Sequence, residues 1–413
     1  MDSKYSIDTP ENKAFLAKNA EELLHFGRAF LSPRGASYYL DGSGRPMKDK
    51  PCETWITARM IHVYSMGAMM GREWCRQLAA DALKSLQKEG TLRDEQKGGF
   101  YAGRNADNTI LESKQCYAHA FVILASCSAY LAQIEGAEQL LEEAMEIYDR
   151  YFWNETEGMS VDTWNTAFSE CDAYRGLNAN MHTVEAFLAA ADTKKDDTYR
   201  IRAGRIIDRV LKWAEEFEGR LPEHFTADWT PRPELNCDRP DDPFKPYGAT
   251  CGHGIEWARL IVQWALSTYG KSSRADAYIH AAERLYDRAV ADGWKVDGGE
   301  GFVYTTDWKG KAVVHDRMHW TLAEAVNTSA VLFRATGKEK YAADFAAYMK
   351  YLDEKVMDHD RGSWYHQLDA KGQLLDSVWP GKPDLYHAFQ AMWIPYLPVD
   401  VSIARNIQNL YSG

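Results

Sequence analysis

The chain alternates between two kinds of helical segment. Six stretches carry almost no charge and begin near Glu53, Gln115, Asn178, Gly252, Trp320 and Asp384; Trp55 to Met70, read as WITARMIHVYSMGAMM, shows the pattern. Helices that are apolar nearly all round are buried ones. Six others begin near Glu11, Glu73, Ala137, Asp197, Ser273 and Lys338 and combine an apolar stripe with a charged face. In Gln139 to Phe152 the stripe is Leu140, Leu141, Ala144, Met145 and Tyr148, which is the spacing of an amphipathic helix lying on a core.

Each amphipathic segment is followed by a short aromatic-rich stretch punctuated by turn residues, such as Tyr38-Tyr-Leu-Asp-Gly-Ser-Gly or Gly301-Phe-Val-Tyr-Thr-Thr-Asp-Trp-Lys-Gly. Each of these predicts a short hairpin. The uncharged segments recur at steps of 62, 63, 74, 68 and 64 residues, so outer helix, hairpin and inner helix form an internal repeat. Six nearly uncharged helices must be buried together, and closing them into a ring with the amphipathic helices outside does this. The predicted fold is therefore all-α: an (α/α)6 barrel, or toroid, with short β-hairpins between outer and inner helices, in one domain over residues 1–413. An open helical solenoid is the alternative, disfavoured because neither end of the chain reads as a polar capping repeat. To the tail from Arg405 onward the pattern assigns no element.

Composition narrows the partners. A net charge of -12 with no Lys/Arg run argues against nucleic acid and anionic membranes, which need a basic footprint. No apolar run approaches membrane-spanning length, and the N-terminus has no apolar leader core. The seven cysteines are scattered without a C-x-x-C pair, which predicts reduced thiols and a cytoplasmic location. The 14 Trp and 23 Tyr suit sugar-facing surfaces as well as large aromatic cores. Oligomeric state is left open.

In such a toroid the connections into the inner helices lie on one face, so the residues at the six inner-helix starts should converge on one funnel. They are Arg59 with Trp55, Tyr117 with His119, Asn178 and Asn180 with His182, His253 with Glu256, Trp320 with Glu324, and His387 with Asp384 and Tyr386. His253 and Glu256 stand at i and i+3, neighbours on one helix face, where a carboxylate can orient an imidazole. Among cofactor motifs, no Walker loop, dinucleotide G-x-G-x-x-G, HExxH or Cys/His ligand cluster is present, and no cofactor is expected. A divalent metal on His182, His253, Glu256 and His387 is the sharpest alternative, opposed by the charge of Arg59 in the same funnel.

Imidazoles suit proton transfer at carbon next to a carbonyl, the chemistry of sugar isomerases and epimerases. His253 with Glu256 would open the pyranose ring, and His387 would remove the C2 proton to form a cis-enediol. Arg59 and Asn178 would hold hydroxyls or the developing oxyanion, while Trp55, Tyr117 and Trp320 would offer apolar faces to sugar C–H groups.

Trp55-Ile-Thr-Ala-Arg-Met, Lys114-Gln-Cys-Tyr-Ala-His, Tyr174-Arg-Gly-Leu-Asn-Ala-Asn-Met-His, Gly252-His-Gly-Ile-Glu-Trp-Ala-Arg and Asp384-Leu-Tyr-His resemble the N-acylglucosamine 2-epimerase superfamily. Within it the chain is most similar to the aldose–ketose isomerase branch, whose members act on D-mannose or sulfoquinovose. The resemblance spans nearly the whole chain and implies an (α/α)6 barrel. It also implies catalytic roles for His182, His253, Glu256 and His387, with Arg59, Tyr117, Asn178 and Trp320 contacting the sugar; Trp55 and Asp384 are counted with them. Where sulfonate-binding members carry glutamines in two motifs, this chain has His366 and Pro383, and proline offers no side-chain donor. That points to a neutral sugar: D-mannose to D-fructose, with D-lyxose to D-xylulose beside it. A 2-epimerase is the competing reading, because an epimerase wants two bases across the ring where an isomerase needs one, and His253 and His387 could serve either scheme; a sulfoquinovose isomerase is a further alternative, and a non-catalytic sugar-binding toroid comes from another class.

Overall fold

In a computed structural model, which describes residues 2–412, the alternation along the sequence becomes an alternation of helices. The amphipathic segments are α1 (Pro10–Gly27), α3 (Glu73–Leu83), α5 (Ala137–Tyr151), α7 (Thr198–Glu216), α9 (Ser273–Gly293) and α11 (Glu339–Tyr351). The uncharged segments are α2 (Thr54–Met69), α4 (Cys116–Leu131), α6 (Leu177–Lys194), α8 (Cys251–Tyr269), α10 (His319–Thr336) and the short α12 (Tyr386–Ala391). Every predicted start lies within two residues of an observed one. The physical reason is visible in α2, where Thr54 through Ala68 are all buried, against α5, which buries Ala137, Leu140, Leu141, Ala144, Met145 and Tyr148 and exposes its charged face. Each large apolar side chain removed from water contributes about 1.5–3 kcal/mol, so the first pattern favours a fully buried helix and the second a helix with one face in water.

Contacts gather the chain into two compact units. The first comprises the chain up to Leu23, Ile207–Gly381 and His387–Val401; the second comprises Leu24–Ile206, Lys382–Tyr386 and the segment from Ser402 onward. In the second unit α2 packs on α4 and α4 on α6, with α3 against α2 and α5 against α4. In the first, α8 packs on α10, with α9 against α8 and α11 against α10.

The hairpins do more than connect. A local hairpin forms after α1, where Tyr39–Leu40 pair with Pro46–Met47, and another after α5, where Trp153–Asn154 pair with Met159–Ser160. The strand that enters an inner helix, however, pairs with the stretch that follows the next outer helix: Cys52–Glu53 with Gly103–Arg104, Lys114–Gln115 with Thr163–Trp164, Ala249–Thr250 with Thr305–Thr306, and Arg317–Met318 with Gln367–Leu368. The same neighbour caps the helix. The first amides of α2, α4, α8 and α10, on Thr54, Cys116, Cys251 and His319, donate to the carbonyls of Ala102, Asp162, Tyr304 and His366. These helices lack side-chain N-caps, so a backbone carbonyl from the adjacent repeat satisfies an otherwise orphaned donor and sets the height of each helix start.

The tail does form an element. Helix α13 (Ile403–Tyr411) buries Ala404, Asn406 and Ile407 and packs against α2, α4 and α6. Its Gln408 amide donates to the Leu131 carbonyl at 2.8 Å and its Arg405 guanidinium to the Asp192 carbonyl at 3.0 Å, so it satisfies acceptors at the C-terminal ends of α4 and α6. Among the described residues no helix is long and apolar enough to cross a membrane, and the seven cysteines form no disulfide.

Candidate active site

In the first unit, His253 stands in the first turn of α8. Its Nδ1 lies 2.9 Å from Oε1 of Glu223, a buried carboxylate in the segment just before the strand His224–Phe225. The i,i+3 partner expected from the sequence, Glu256, is turned elsewhere: its Oε1 accepts from Arg259 Nη2 at 3.4 Å. Arg259 Nε in turn donates to Oε2 of Glu324 at 2.7 Å, and Oε1 of Glu324 lies 3.2 Å from His387 Nδ1. A line of buried groups therefore runs Glu256, Arg259, Glu324, His387 across α8, α10 and α12. Trp320 joins the two histidines: its indole is 5.0 Å from the His253 ring and 5.9 Å from the His387 ring, centroid to centroid, tilted by 33° and 36°. Gly252 makes room for it, since a Cβ there would come within 2.3 Å of the indole. A cation held by Glu256 would sit beside the Arg259 guanidinium, whose charge opposes it.

The second unit carries a cluster built on Arg59, on the second turn of α2. Its Nη1 donates to Asp384 Oδ2 at 3.1 Å and its Nη2 to the Tyr117 hydroxyl at 2.9 Å. The guanidinium carbon lies 4.7 Å from the Trp55 ring, 4.5 Å from Phe121 and 4.7 Å from Tyr386, a cation in an aromatic box. Burial alone would lower its proton affinity, yet Tyr117, Asp384 and Tyr386 outweigh that and push its pKa up, so it stays charged. His182, on the second turn of α6, packs against Tyr117 and Phe121, with its Nδ1 3.5 Å from Oε2 of Glu185. Glu185 also takes a very short hydrogen bond from the Tyr386 hydroxyl. Asn178 is half-buried at the start of α6, and its Oδ1 has no partner among the described residues.

Of the other polar residues at inner-helix starts, two are structural. Asn180 is consumed by backbone, holding the amide and carbonyl of Ser160. His119 accepts the Phe100 amide on Nε2 at 3.1 Å, and its Nδ1 meets the Gln115 carbonyl at 2.8 Å. Burial pushes its pKa down to about 3. His366 stacks on His319, ring centroids 3.6 Å apart, and its own carbonyl caps α10.

Sequence reasoning passed over Glu223, Arg259 and Glu185. Arg259 and Glu185 had a readable signal, each being a charged residue inside a nearly uncharged helix. Glu223 had none, because its partner lies 30 residues away and no periodicity links the two.

The chain is similar to known proteins along its length. A D-mannose isomerase from Thermobifida fusca is 40% identical over 398 residues, covering 95% of this chain and 96% of that protein. A D-mannose isomerase from Pseudomonas cannabina pv. alisalensis is 36% identical over 406 residues, covering 98% and 97%. Among solved structures, a crystal structure of D-mannose isomerase superposes with a TM-score of 0.85 at 24% identity, over 93% of this chain and 97% of that one, and shows that the fold class is the (α/α)6 barrel. The family model for N-acylglucosamine 2-epimerase (GlcNAc 2-epimerase) matches residues 35–391, and the chain belongs to that family.

Proposed function

We propose that this isomerase interconverts D-mannose and D-fructose, and D-lyxose and D-xylulose as a second pair, by proton transfer through a cis-enediol. The observation that carries the reading is the pair of imidazoles, His253 and His387, each held at Nδ1 by a carboxylate and both lying against Trp320. Likeness along the full chain to proteins named D-mannose isomerase supports it.

A carboxylate is an acceptor only, so an Nδ1 bonded to one carries the proton and the other nitrogen, Nε2, exchanges. His253 takes the proton of the anomeric hydroxyl and returns it to the ring oxygen as the C1–O5 bond breaks. His387 then removes the proton from C2, and the C–H electron pair forms the C1–C2 double bond of the enediol. Returned to C1, with the O2 proton passing to O1, that proton completes the ketose. In this scheme Glu256 holds Arg259, which holds Glu324 against His387, and His182, beside Glu185, is a further acid/base residue. Arg59, Asp384, Asn178 and Tyr117 bind hydroxyls or the enediolate oxygen, and Trp55 and Trp320 face sugar C–H groups. His366 and Pro383 in the positions where sulfonate-binding relatives carry amides support a neutral sugar. The unpaired, scattered cysteines support a cytoplasmic location.

Incubation with D-mannose followed by NMR of the products tests the reading. Fructose is the expected product, whereas glucose alone would mean a 2-epimerase, and binding without C2 exchange in deuterated water would mean a sugar-binding protein. His387→Ala is expected to abolish fructose formation; near-wild-type conversion by that variant would remove His387 from the carbon chemistry.

A further inference from the structure

We infer that Glu223 is the positioning residue of the ring-opening histidine, a role that rests on the isomerase reading above and that the sequence had given to Glu256. Three observations place it. Glu223 is 4% exposed, so its charge has little access to water, and its Oε1 lies 2.9 Å from His253 Nδ1. A buried carboxylate left without a partner is costly, so the pairing holds both groups in place. The segment that carries it is rigid: Leu221 to Phe225 are all buried, the Arg232 amide donates to the His224 carbonyl at 2.8 Å, and the His224 ring is fixed on the Pro246 carbonyl at 2.8 Å. Third, Glu256 Oε1 accepts from Arg259 Nη2, and Arg259 Nε donates to Glu324.

The chemical consequence concerns the tautomer. With Glu223 accepting at Nδ1 and Trp320 against one face of the ring, His253 can neither flip nor move its proton to Nε2 without losing the carboxylate. Nε2 is thereby kept as the acceptor that takes the anomeric proton. Glu223 touches no reacting atom; it acts through His253.

The test uses the full chain and reads the tautomer separately from turnover. Long-range proton–nitrogen NMR of the wild type should show His253 protonated on Nδ1, and Glu223→Gln, whose amide can either donate or accept, should convert it to a mixture or to the Nε2–H form. With D-mannose, Glu223→Gln should lose about 100-fold in kcat with KM within about threefold and a displaced pH profile, because the wrong tautomer cannot take the proton. Glu223→Asp, which keeps the acceptor on a shorter arm, should recover at least part of kcat and restore the profile. A wild-type His253 in the Nε2–H form, or a Glu223→Gln variant with unchanged tautomer, kcat and pH profile, would overturn the assignment. The tautomer measurement needs no sugar, so failure of the mannose reading leaves this result standing or falling by itself.

Discussion

His119 and His253 stand at the same point of two repeats, in the first turn or just beyond it of a buried inner helix, and the structure gives them different hydrogen-bond partners. Both ring nitrogens of His119 are engaged by backbone, from Phe100 and Gln115, and burial holds the ring neutral with a pKa near 3. His253 has one nitrogen on a carboxylate, as does His387. A backbone carbonyl and amide fix a proton in place, while a carboxylate on one side stabilises the imidazolium that forms when the other side takes a proton. On the proposed mechanism, what separates a structural histidine from a chemical one is the identity of its hydrogen-bond partner, and burial does not distinguish them, since both are buried.

The sharpest break of this comparison is a pair of substitutions. His253→Ala should lower kcat about 1000-fold, the usual worth of a general acid–base, while His119→Ala should leave kcat of the folded protein within about threefold; steady-state kinetics on both variants decide it. A loss of similar size in both would mean that the partner rule fails. A smaller effect separates them in stability. His119→Ala leaves the buried Phe100 amide without its His119 partner and should cost about 1–3 kcal/mol in chemical denaturation.

The smallest effect is in the pH dependence of folding. Burial lowers the pKa of His119 to about 3 and that of His62, whose Nδ1 lies 2.6 Å from the Ser128 hydroxyl, to about 4. The unfolded chain, with an ordinary histidine pKa of about 6.5, then binds more protons than the folded one in that window. Their contribution to stability is present above about pH 6.5 and is lost as pH falls toward the folded values. Urea midpoints should drop between pH 7 and 5 in the wild type and drop less in His119→Leu. An equal slope in both would show that His119 is not buried neutral.

Most of the helical architecture was legible because it is dictated by local periodicity. The charge-free run at Trp55 and the stripe Leu140, Leu141, Ala144, Met145, Tyr148 each report which faces meet water, and the helix starts follow. The hairpins were legible as turns, yet not their partners: nothing near Cys52–Glu53 announces that it pairs with Gly103–Arg104. Helix α13 was missed although Ala404 and Ile407 sit one turn apart, since nine residues are too short for periodicity to speak and its stability comes from packing on α2, α4 and α6. In the site, the histidines were found from their position in the repeat. The carboxylates behind His253 and His387 were a matter of long-range contact: Glu223 with His253 is separated by 30 residues and Glu324 with His387 by 63.

By itself the sequence determined the repeat, the inner and outer helices, and which helix starts carry imidazole, indole and guanidinium. It did so because burial acts residue by residue and leaves a period behind. Only the tertiary structure decided the hydrogen-bond partner of each buried histidine. It turned Glu256 to Arg259, brought Glu223 to His253, and closed His119 onto backbone, because the partner of a buried polar group is whatever the fold places within hydrogen-bonding distance.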